Sequence, residues 1–145
     1  MANERYAVTV CVLIQRGDRW LLVVRAPGVE DAPSMIGMIG GHVEVAHPVA
    51  DVLETTARRE VAEEVGLDLA GVRLEYLESE FFVTDGGERQ ITVTFTAHAL
   101  PGVEPFVAAP DELTEVRWWR LGDLEADPRC PSWLPPLIRR ASLAT

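Results

Sequence analysis

The stretch RREVAEEVGL, residues 58–67, decides the fold, because it places three glutamates just before the glycine at which a helix would end. Glu60, Glu63 and Glu64 are spaced so that on an α-helix they span about 100° of one face. Like charges at these spacings destabilise a helix by about 0.2–0.5 kcal/mol each, and carboxylates in the last turn oppose the helix dipole by about 0.3–1 kcal/mol apiece. The total, about 2 kcal/mol, is large beside a net stability of about 5–15 kcal/mol. We therefore expect an interaction that offsets it.

The helix that carries these glutamates has sequence signals at both ends. Asp51, followed three residues later by Glu54, resembles an N-terminal capping pair. Gly66 followed by Leu67 is typical of a helix that ends at a left-handed glycine. An apolar stripe runs beside the acids and consists of Ala57, Val61 and Val65. We expect the helix to begin after its cap at Asp51, end at Gly66 and pack on a sheet through this stripe.

Strand-like runs lie on both sides of this helix. Runs rich in β-branched and apolar residues predict strands, and they occupy 6–15, 19–26, 36–45, 72–83, 89–100 and 115–121. Glycines interrupt the third run, so a backbone kink is expected at Gly40-Gly41. TDGGE (84–88) predicts a hairpin turn, and LPPLIRRASL (134–143) predicts a terminal helix with proline in its first turn. The pattern indicates an α+β fold in a single domain over 1–145.

Composition limits the chemistry that the chain can perform. Its net charge of −10 argues against a nucleic-acid duplex as partner, because phosphate binding needs a basic surface. All 13 basic residues are arginine, which excludes Schiff-base catalysis and a P-loop lysine. The sequence also lacks the G-x-S-x-G pattern of serine hydrolases. Carboxylate chemistry, with or without a cation, remains.

Nothing in the sequence indicates a membrane or an oxidising compartment. No apolar run approaches the roughly 18 residues of a membrane span, and MANERY at the start does not resemble a signal peptide. A cytoplasmic protein is expected, with Cys11 and Cys130 as reduced thiols. His42 and His47 are interpreted as loop residues, since no third zinc ligand accompanies them.

Two explanations of the acidic cluster follow from the residues alone. The first is a solvated surface, on which Arg58 pairs with Glu54 and Arg59 pairs with Glu63. Such exposed pairs contribute little stability. The second is a bound hard cation, because carboxylate oxygens are the ligands that Mg²⁺ and Mn²⁺ prefer.

A longer pattern decides between these explanations. GGHVE (40–44) precedes the helix DVLETTARREVAEEVGL (51–67), and together the two segments resemble the Nudix box, G-x₅-E-x₇-R-E-U-x-E-E-x-G-U, in which U is a bulky aliphatic residue. The match from Arg59 to Leu67 is complete. The resemblance implies the fold of the Nudix hydrolases, an α/β/α sandwich in which a mixed sheet is flanked by the catalytic helix and a C-terminal helix.

The chain departs from the family pattern in its approach to the helix. Asp51 stands where the pattern has Glu, and four extra residues separate GGHVE from the helix. The insertion falls in VAHPVA, a predicted loop in which added length costs little. Ile39 and Ile36 also replace a proline and an aromatic residue that are common in the family. These departures affect the expected substrate and the role of Asp51 more than they affect the helix.

The resemblance implies hydrolysis of a nucleoside diphosphate linked to another moiety, with Mg²⁺, or alternatively Mn²⁺, as cofactor. The implied metal ligands are Glu60, Glu63, Glu64 and the Gly40 carbonyl, and Glu63 and Glu64 are also implied to act in catalysis. Arg59 is expected to orient the carboxylates, and Glu44 to steady the joint between loop and helix. The general base is either a Glu of the box or one of the loop acids Asp111, Glu112 and Glu115. We favour Glu112.

Two further positions are candidates for substrate binding. Arg25, at the end of the second predicted strand, matches a place where relatives keep a phosphate-binding arginine, although a solvated charge at a strand end is equally compatible with the sequence. Phe81 and Phe82 are adjacent in a predicted strand, so one of them is expected to face the core. Phe82 is the candidate for stacking on a base.

These observations favour a pyrophosphohydrolase that acts on a (deoxy)nucleoside triphosphate or a related nucleotide. The alternative is a non-catalytic Nudix-like domain that binds a nucleotide as a sensor. A structural cation site is a third explanation, but it leaves the glycine pair and Arg59 without a role. The resemblance also implies a homodimer as one form of assembly.

Overall fold

The computed structural model describes residues 3–144, and its element order matches the sequence prediction closely. Its strands and helices are β1 (Ala7–Arg16), β2 (Arg19–Arg25), β3 (Ile36–Gly37), β4 (Ile39–His42), α1 (Val52–Val65), β5 (Glu75–Val83), β6 (Arg89–His98), β7 (Leu113–Arg120), α2 (Leu121–Ala126) and α3 (Leu134–Leu143). Each predicted strand run overlaps an observed strand, and the predicted terminal helix is α3. Helix α2 was not predicted.

The sheet is mixed and opens at its centre. Its strand order is β3-β2-β1-β6-β5, with β4 also paired to β1 and β7 to β2. β1 and β6 are parallel, whereas the other pairs are antiparallel. β1 and β2 pair only from Ile14 to the turn, and β4 then takes the place of β2 beside Thr9–Val12. The two halves of the sheet therefore diverge, and β4 lies along the opening.

Helices cover both faces of this sheet, which confirms the α/β/α sandwich. Val10, Val12 and Ile14 of β1 pack in the cluster that contains the apolar stripe of α1. Leu13, between them, packs in the opposite cluster with residues of α2 and α3. The alternation along β1 follows from the two-residue period of a strand. Among residues 3–144, no helix is long and apolar enough to cross a membrane.

Helix α1 begins and ends where the sequence indicates, but its N-terminus is capped differently. Gly66 has φ 71°, and its N–H bonds the carbonyl of Ala62 at 3.1 Å, as expected for a left-handed C-terminal glycine. Asp51 is the N-cap residue, yet it has φ 52° and makes no side-chain capping hydrogen bond. The predicted capping pair of Asp51 and Glu54 is therefore wrong, because a capping side chain requires an extended backbone at the N-cap and Asp51 is left-handed.

Two strand predictions also need correction. The break in the third run falls at Met38 rather than at Gly40-Gly41, and both glycines lie inside β4. Phe81 and Phe82 are both exposed, at 54% and 39%, so the expectation that one of them faces the core is wrong. β5 is the outer strand of the sheet, and at this end Phe81 has an edge-on contact with the ring of Tyr6 but stays half-exposed.

Candidate active site

The three glutamates of α1 do not share one environment. Glu64 is buried, with 7% of its surface exposed, and the side chain of Glu60 is 12% exposed. The Glu63 side chain is 56% exposed. Glu60 and Glu64 face the sheet at β4, whereas Glu63 points to solvent. Within residues 3–144, no three Asp, Glu, His or Cys side chains form a ready-made metal cluster.

The glycine pair lets β4 approach the helix and β1. A Cβ atom added to Gly41 would overlap the carboxylate of Glu60, and one added to Gly40 would overlap the carbonyl oxygen of Val10. The backbone amide of Gly40 also donates a hydrogen bond to Glu64. Glycine at position 41 therefore lets the Glu60 carboxylate lie against the β4 backbone, and glycine at position 40 lets β4 lie close to β1.

Burial and mutual repulsion raise the pKa of both buried acids. Burial is the largest cause for Glu64, whose pKa rises to about 8, and the negative charges of Glu60 and Glu112 raise it further. The Gly40 amide and Arg25 act in the opposite direction. The pKa of Glu60 is also raised, first by burial, with Arg59 opposing this effect and neighbouring acids adding to it.

Arg59 joins the helix to β4. Its Nη1 lies 3.1 Å from Glu60 Oε1 and 3.3 Å from Glu63 Oε2, and its Nη2 donates to the carbonyl of His42 at 3.3 Å. Because one guanidinium contacts both acids and the strand, it can hold the Glu60 carboxylate in place. The predicted orienting role of Arg59 is compatible with these contacts.

Of the three candidate loop acids, Glu112 has the strongest connection to the buried pair. Its negative charge raises the pKa of both Glu60 and Glu64, and its carbonyl accepts a hydrogen bond from the Ala26 amide at 2.8 Å. Asp111 is exposed. Glu115 forms an ion pair with Arg129 at 3.3 Å, so its carboxylate is already engaged elsewhere.

The two predicted substrate-binding residues lie in different places. Arg25 is near enough to Glu64 to lower its pKa, and its Nε is held by the Asp31 carbonyl at 2.6 Å. Phe82 pairs with Gln90 of β6, and β1 separates β6 from β4. β5, which carries Phe82, is therefore three strand spacings from β4, or about 14 Å. Phe82 does not lie near the carboxylates. It could contact only a distant part of a substrate.

The donor set fits a hard divalent cation. Glu60, Glu64 and Glu112 share one negatively charged region, and carboxylate oxygens suit Mg²⁺ or Mn²⁺ rather than zinc. Coulombic coupling acts over longer distances than a coordination bond, which is why these acids interact without forming a closed ligand set. The overlap of a Gly41 Cβ with Glu60 shows that the cleft is shaped around a carboxylate.

Sequence reasoning missed a polar row that crosses the sheet. His42 is the last residue of β4, not a loop residue, and its Nδ1 lies 3.3 Å from Thr9 Oγ1. Gln90 Nε2 donates to the same hydroxyl at 2.9 Å. No sequence signal could have revealed this row, because it depends on the pairing of β1 with both β4 and β6.

Comparison with known proteins agrees with this architecture. The chain is 31% identical over 123 residues to the NAD-capped RNA hydrolase NudC of Deinococcus radiodurans, covering 83% of this chain and 39% of the relative. It is 29% identical over 124 residues to the protein of the same name from Stutzerimonas stutzeri, covering 86% of this chain and 40% of that relative. The chain thus spans about two fifths of the length of these curated relatives.

Solved structures with the same fold include enzymes and a ligand complex. A MutT NUDIX hydrolase from Burkholderia pseudomallei superposes with a TM-score of 0.72 at 26% identity, covering 94% of this chain and 98% of that chain. The NUDIX domain of Shewanella oneidensis NrtR, complexed with ADP ribose, superposes with a TM-score of 0.75 at 20% identity, covering 99% and 91%. The second likeness concerns the fold alone.

The family model described as the NUDIX domain matches residues 4–141. Its match includes the glycine pair, the acidic helix and the loop acids around which the cleft is built. The chain therefore belongs to the Nudix hydrolase family.

Proposed function

We propose that this chain hydrolyses the diphosphate linkage of a small nucleotide, a (deoxy)nucleoside triphosphate or a related nucleoside diphosphate derivative, with Mg²⁺ or Mn²⁺ as cofactor. The observation that carries the proposal is the pair of carboxylates packed against Gly40 and Gly41, the buried Glu64 and the partly buried Glu60. Burial without a full set of counter-charges destabilises both acids, and a divalent cation would supply the missing positive charge.

Each residue of the cleft has a separate proposed role. Glu60 and Glu64, with the Gly40 carbonyl, would hold the cation, and Glu63 could join them only by a change of rotamer from its exposed position. When bound, the cation neutralises phosphate charge and lowers the pKa of a coordinated water. Arg59 keeps the Glu60 carboxylate in place.

Glu112 is the proposed general base. Its side chain is exposed, so it can adjust to a water molecule at the edge of the cleft, and its charge already acts on Glu60 and Glu64. A carboxylate at this place can accept the proton of the attacking water. Arg25 adds a positive charge near Glu64, which can also serve as a counter-charge for the phosphate oxygens of a substrate.

Charge favours a small nucleotide over a long polyanion as the substrate. The curated relatives are named as hydrolases of NAD-capped RNA, and the NrtR domain is complexed with ADP ribose. A nucleoside diphosphate unit is common to both. With a net charge of −10, this chain offers little general attraction for RNA phosphates, which supports a substrate no larger than the cleft itself.

The test is a panel of nucleotides incubated with Mg²⁺, with Mn²⁺ or with chelator, with products separated by chromatography. We expect hydrolysis that chelator abolishes and that Glu64→Gln lowers by about 100-fold or more, as loss of a metal ligand would. Glu88→Gln, in the exposed hairpin turn, is the matched control and should retain full activity.

Two other results would contradict the proposal in different ways. Hydrolysis that continues unchanged in chelator would exclude the role of a divalent cation. Tight nucleotide binding without any product would support the alternative of a sensor domain, in which the cleft binds its ligand but does not turn it over.

A further inference from the structure

A hydrogen-bonded row connects three strands on one face of the sheet and ends next to the cleft. Gln90 of β6 donates to Thr9 of β1, and Thr9 Oγ1 meets His42 Nδ1 of β4. Thr9 and His42 are direct partners in the antiparallel register, so their side chains lie on the same face. The carbonyl of His42 then accepts a hydrogen bond from Arg59 of α1.

The Thr9 hydroxyl can connect Gln90 and His42 in one chain of hydrogen bonds. Gln90 contributes an N–H, so the Thr9 oxygen acts as an acceptor toward it. The hydroxyl has one proton, and in the arrangement that we infer it donates this proton to His42 Nδ1, 3.3 Å away. With Nδ1 accepting, the proton of a neutral imidazole lies on Nε2.

His42 lies close enough to the cleft for its Nε2–H to contact a substrate. His42 is exposed and lies two residues beyond Gly40 along β4, about 7 Å along an extended strand. Gly40 is the residue whose amide bonds Glu64. A nucleotide whose diphosphate lay against Glu60 and Glu64, and whose next group ran along β4, would pass His42.

We propose that His42 is a substrate-binding residue, held as the Nε2–H tautomer by Thr9 and Gln90. Its Nε2–H donates a hydrogen bond to an oxygen of the phosphate–ribose segment of the substrate. This inference rests on the proposed function for the identity of the acceptor. Thr9 and Gln90 are positioning residues, because they act through His42.

The tautomer can be measured on the resting protein, with no substrate present. Long-range ¹H–¹⁵N NMR correlations distinguish a protonated imidazole nitrogen from a bare one. We expect His42 to show a protonated Nε2 and a bare Nδ1. Gln90→Glu replaces the donor by an acceptor, takes the Thr9 proton and should move the His42 proton to Nδ1. Thr114→Val, at an exposed position of β7 and outside the row, is the control and should leave the tautomer unchanged.

Kinetics then test the contact with substrate. Gln places an amide N–H near the position of Nε2, whereas Asn places one near Nδ1. We expect His42→Gln to keep KM within about twofold, and His42→Asn and His42→Ala to raise KM by about tenfold, as the loss of one such hydrogen bond would. The value of kcat should change little, because the contact is made equally in the ground and transition states.

Each result decides the inference. A proton on Nδ1 in the unmodified protein, or equal KM values for the Gln, Asn and Ala variants, would overturn it. If the unmodified protein hydrolyses no nucleotide of the panel, the proposed function fails, and the tautomer measurement alone decides whether His42 is held as described.

Discussion

Replacing Glu64 by Gln should stabilise the metal-free protein, and the gain should grow as the pH rises. The pKa of Glu64 is raised from its ordinary value of 4.5 to about 8, mainly by burial and then by Glu60 and Glu112. The folded protein thus holds this proton more tightly than the unfolded chain does. The stability that the protonated carboxyl provides is present at low pH and is lost as the pH rises from about 4.5 to about 8.

The size of the effect follows from the shift. At about 1.4 kcal/mol per pKa unit, the interval between 4.5 and about 8 corresponds to an upper limit of about 5 kcal/mol. Water that enters the cleft around the charged carboxylate would reduce this value, so we expect a gain of about 2–5 kcal/mol at about pH 9. Near pH 5 the gain should be close to zero, because Glu64 is already protonated in the folded protein.

The measurement is urea unfolding in chelator at both pH values, followed by the fluorescence of the buried Trp20 and Trp119. Glu63→Gln is the matched control on the same helix. Its side chain is 56% exposed and forms an exposed ion pair with Arg59, so its loss should change the free energy of unfolding by less than about 0.5 kcal/mol at either pH. A Glu64→Gln gain that is absent, or equal at the two pH values, would refute the assignment of Glu64 as a buried, strained acid.

Three further predictions concern the same region. Adding Mg²⁺ or Mn²⁺ should raise the melting temperature of the unmodified protein more at about pH 9 than near pH 5, because protons compete with the cation for the carboxylates. Calorimetry at the two pH values measures the two shifts, and equal shifts would contradict the prediction. Gly41→Ala should displace the Glu60 carboxylate and lower cation affinity in titration calorimetry, with a loss of stability of about 1–3 kcal/mol; unchanged affinity would show that the close packing at Gly41 is not needed. Arg58→Met should lower the free energy of unfolding in urea by about 2–4 kcal/mol, because Arg58 donates hydrogen bonds to the carbonyls of Leu69 and Val72. A decrease below about 0.5 kcal/mol would mean that water replaces these hydrogen bonds.

Features that depend on local sequence could be predicted from it. Gly66 and the apolar stripe of α1 give the end and the buried face of the helix correctly. The position of the apolar stripe also indicates which glutamate is buried. Around a helix, Glu64 lies about 60° from Val61, whereas Glu63 lies about 160° from it. Treating the three glutamates as one group overlooked this difference.

Features that depend on strand pairing could not be predicted. The parallel pairing of β1 with β6, and the position of β4 along the opening of the sheet, depend on contacts between residues distant in the sequence. These pairings bring Thr9, His42 and Gln90 together. The incorrect capping prediction at Asp51 also reflects structure beyond the local sequence. The long loop before α1 enters the helix through a left-handed backbone at Asp51.

The attachment of the loop after β6 to the end of α1 has a mechanical consequence. The ring of Phe106 fills the space that a side chain at Gly66 would need, and the amide of Ala108 donates to the carbonyl of Glu64 at 2.9 Å. The same loop continues to Glu112. A ligand that holds Glu112 in place should therefore also hold this loop against the last turn of the helix, so slowed hydrogen exchange at the Ala108 amide should report when the cleft is filled.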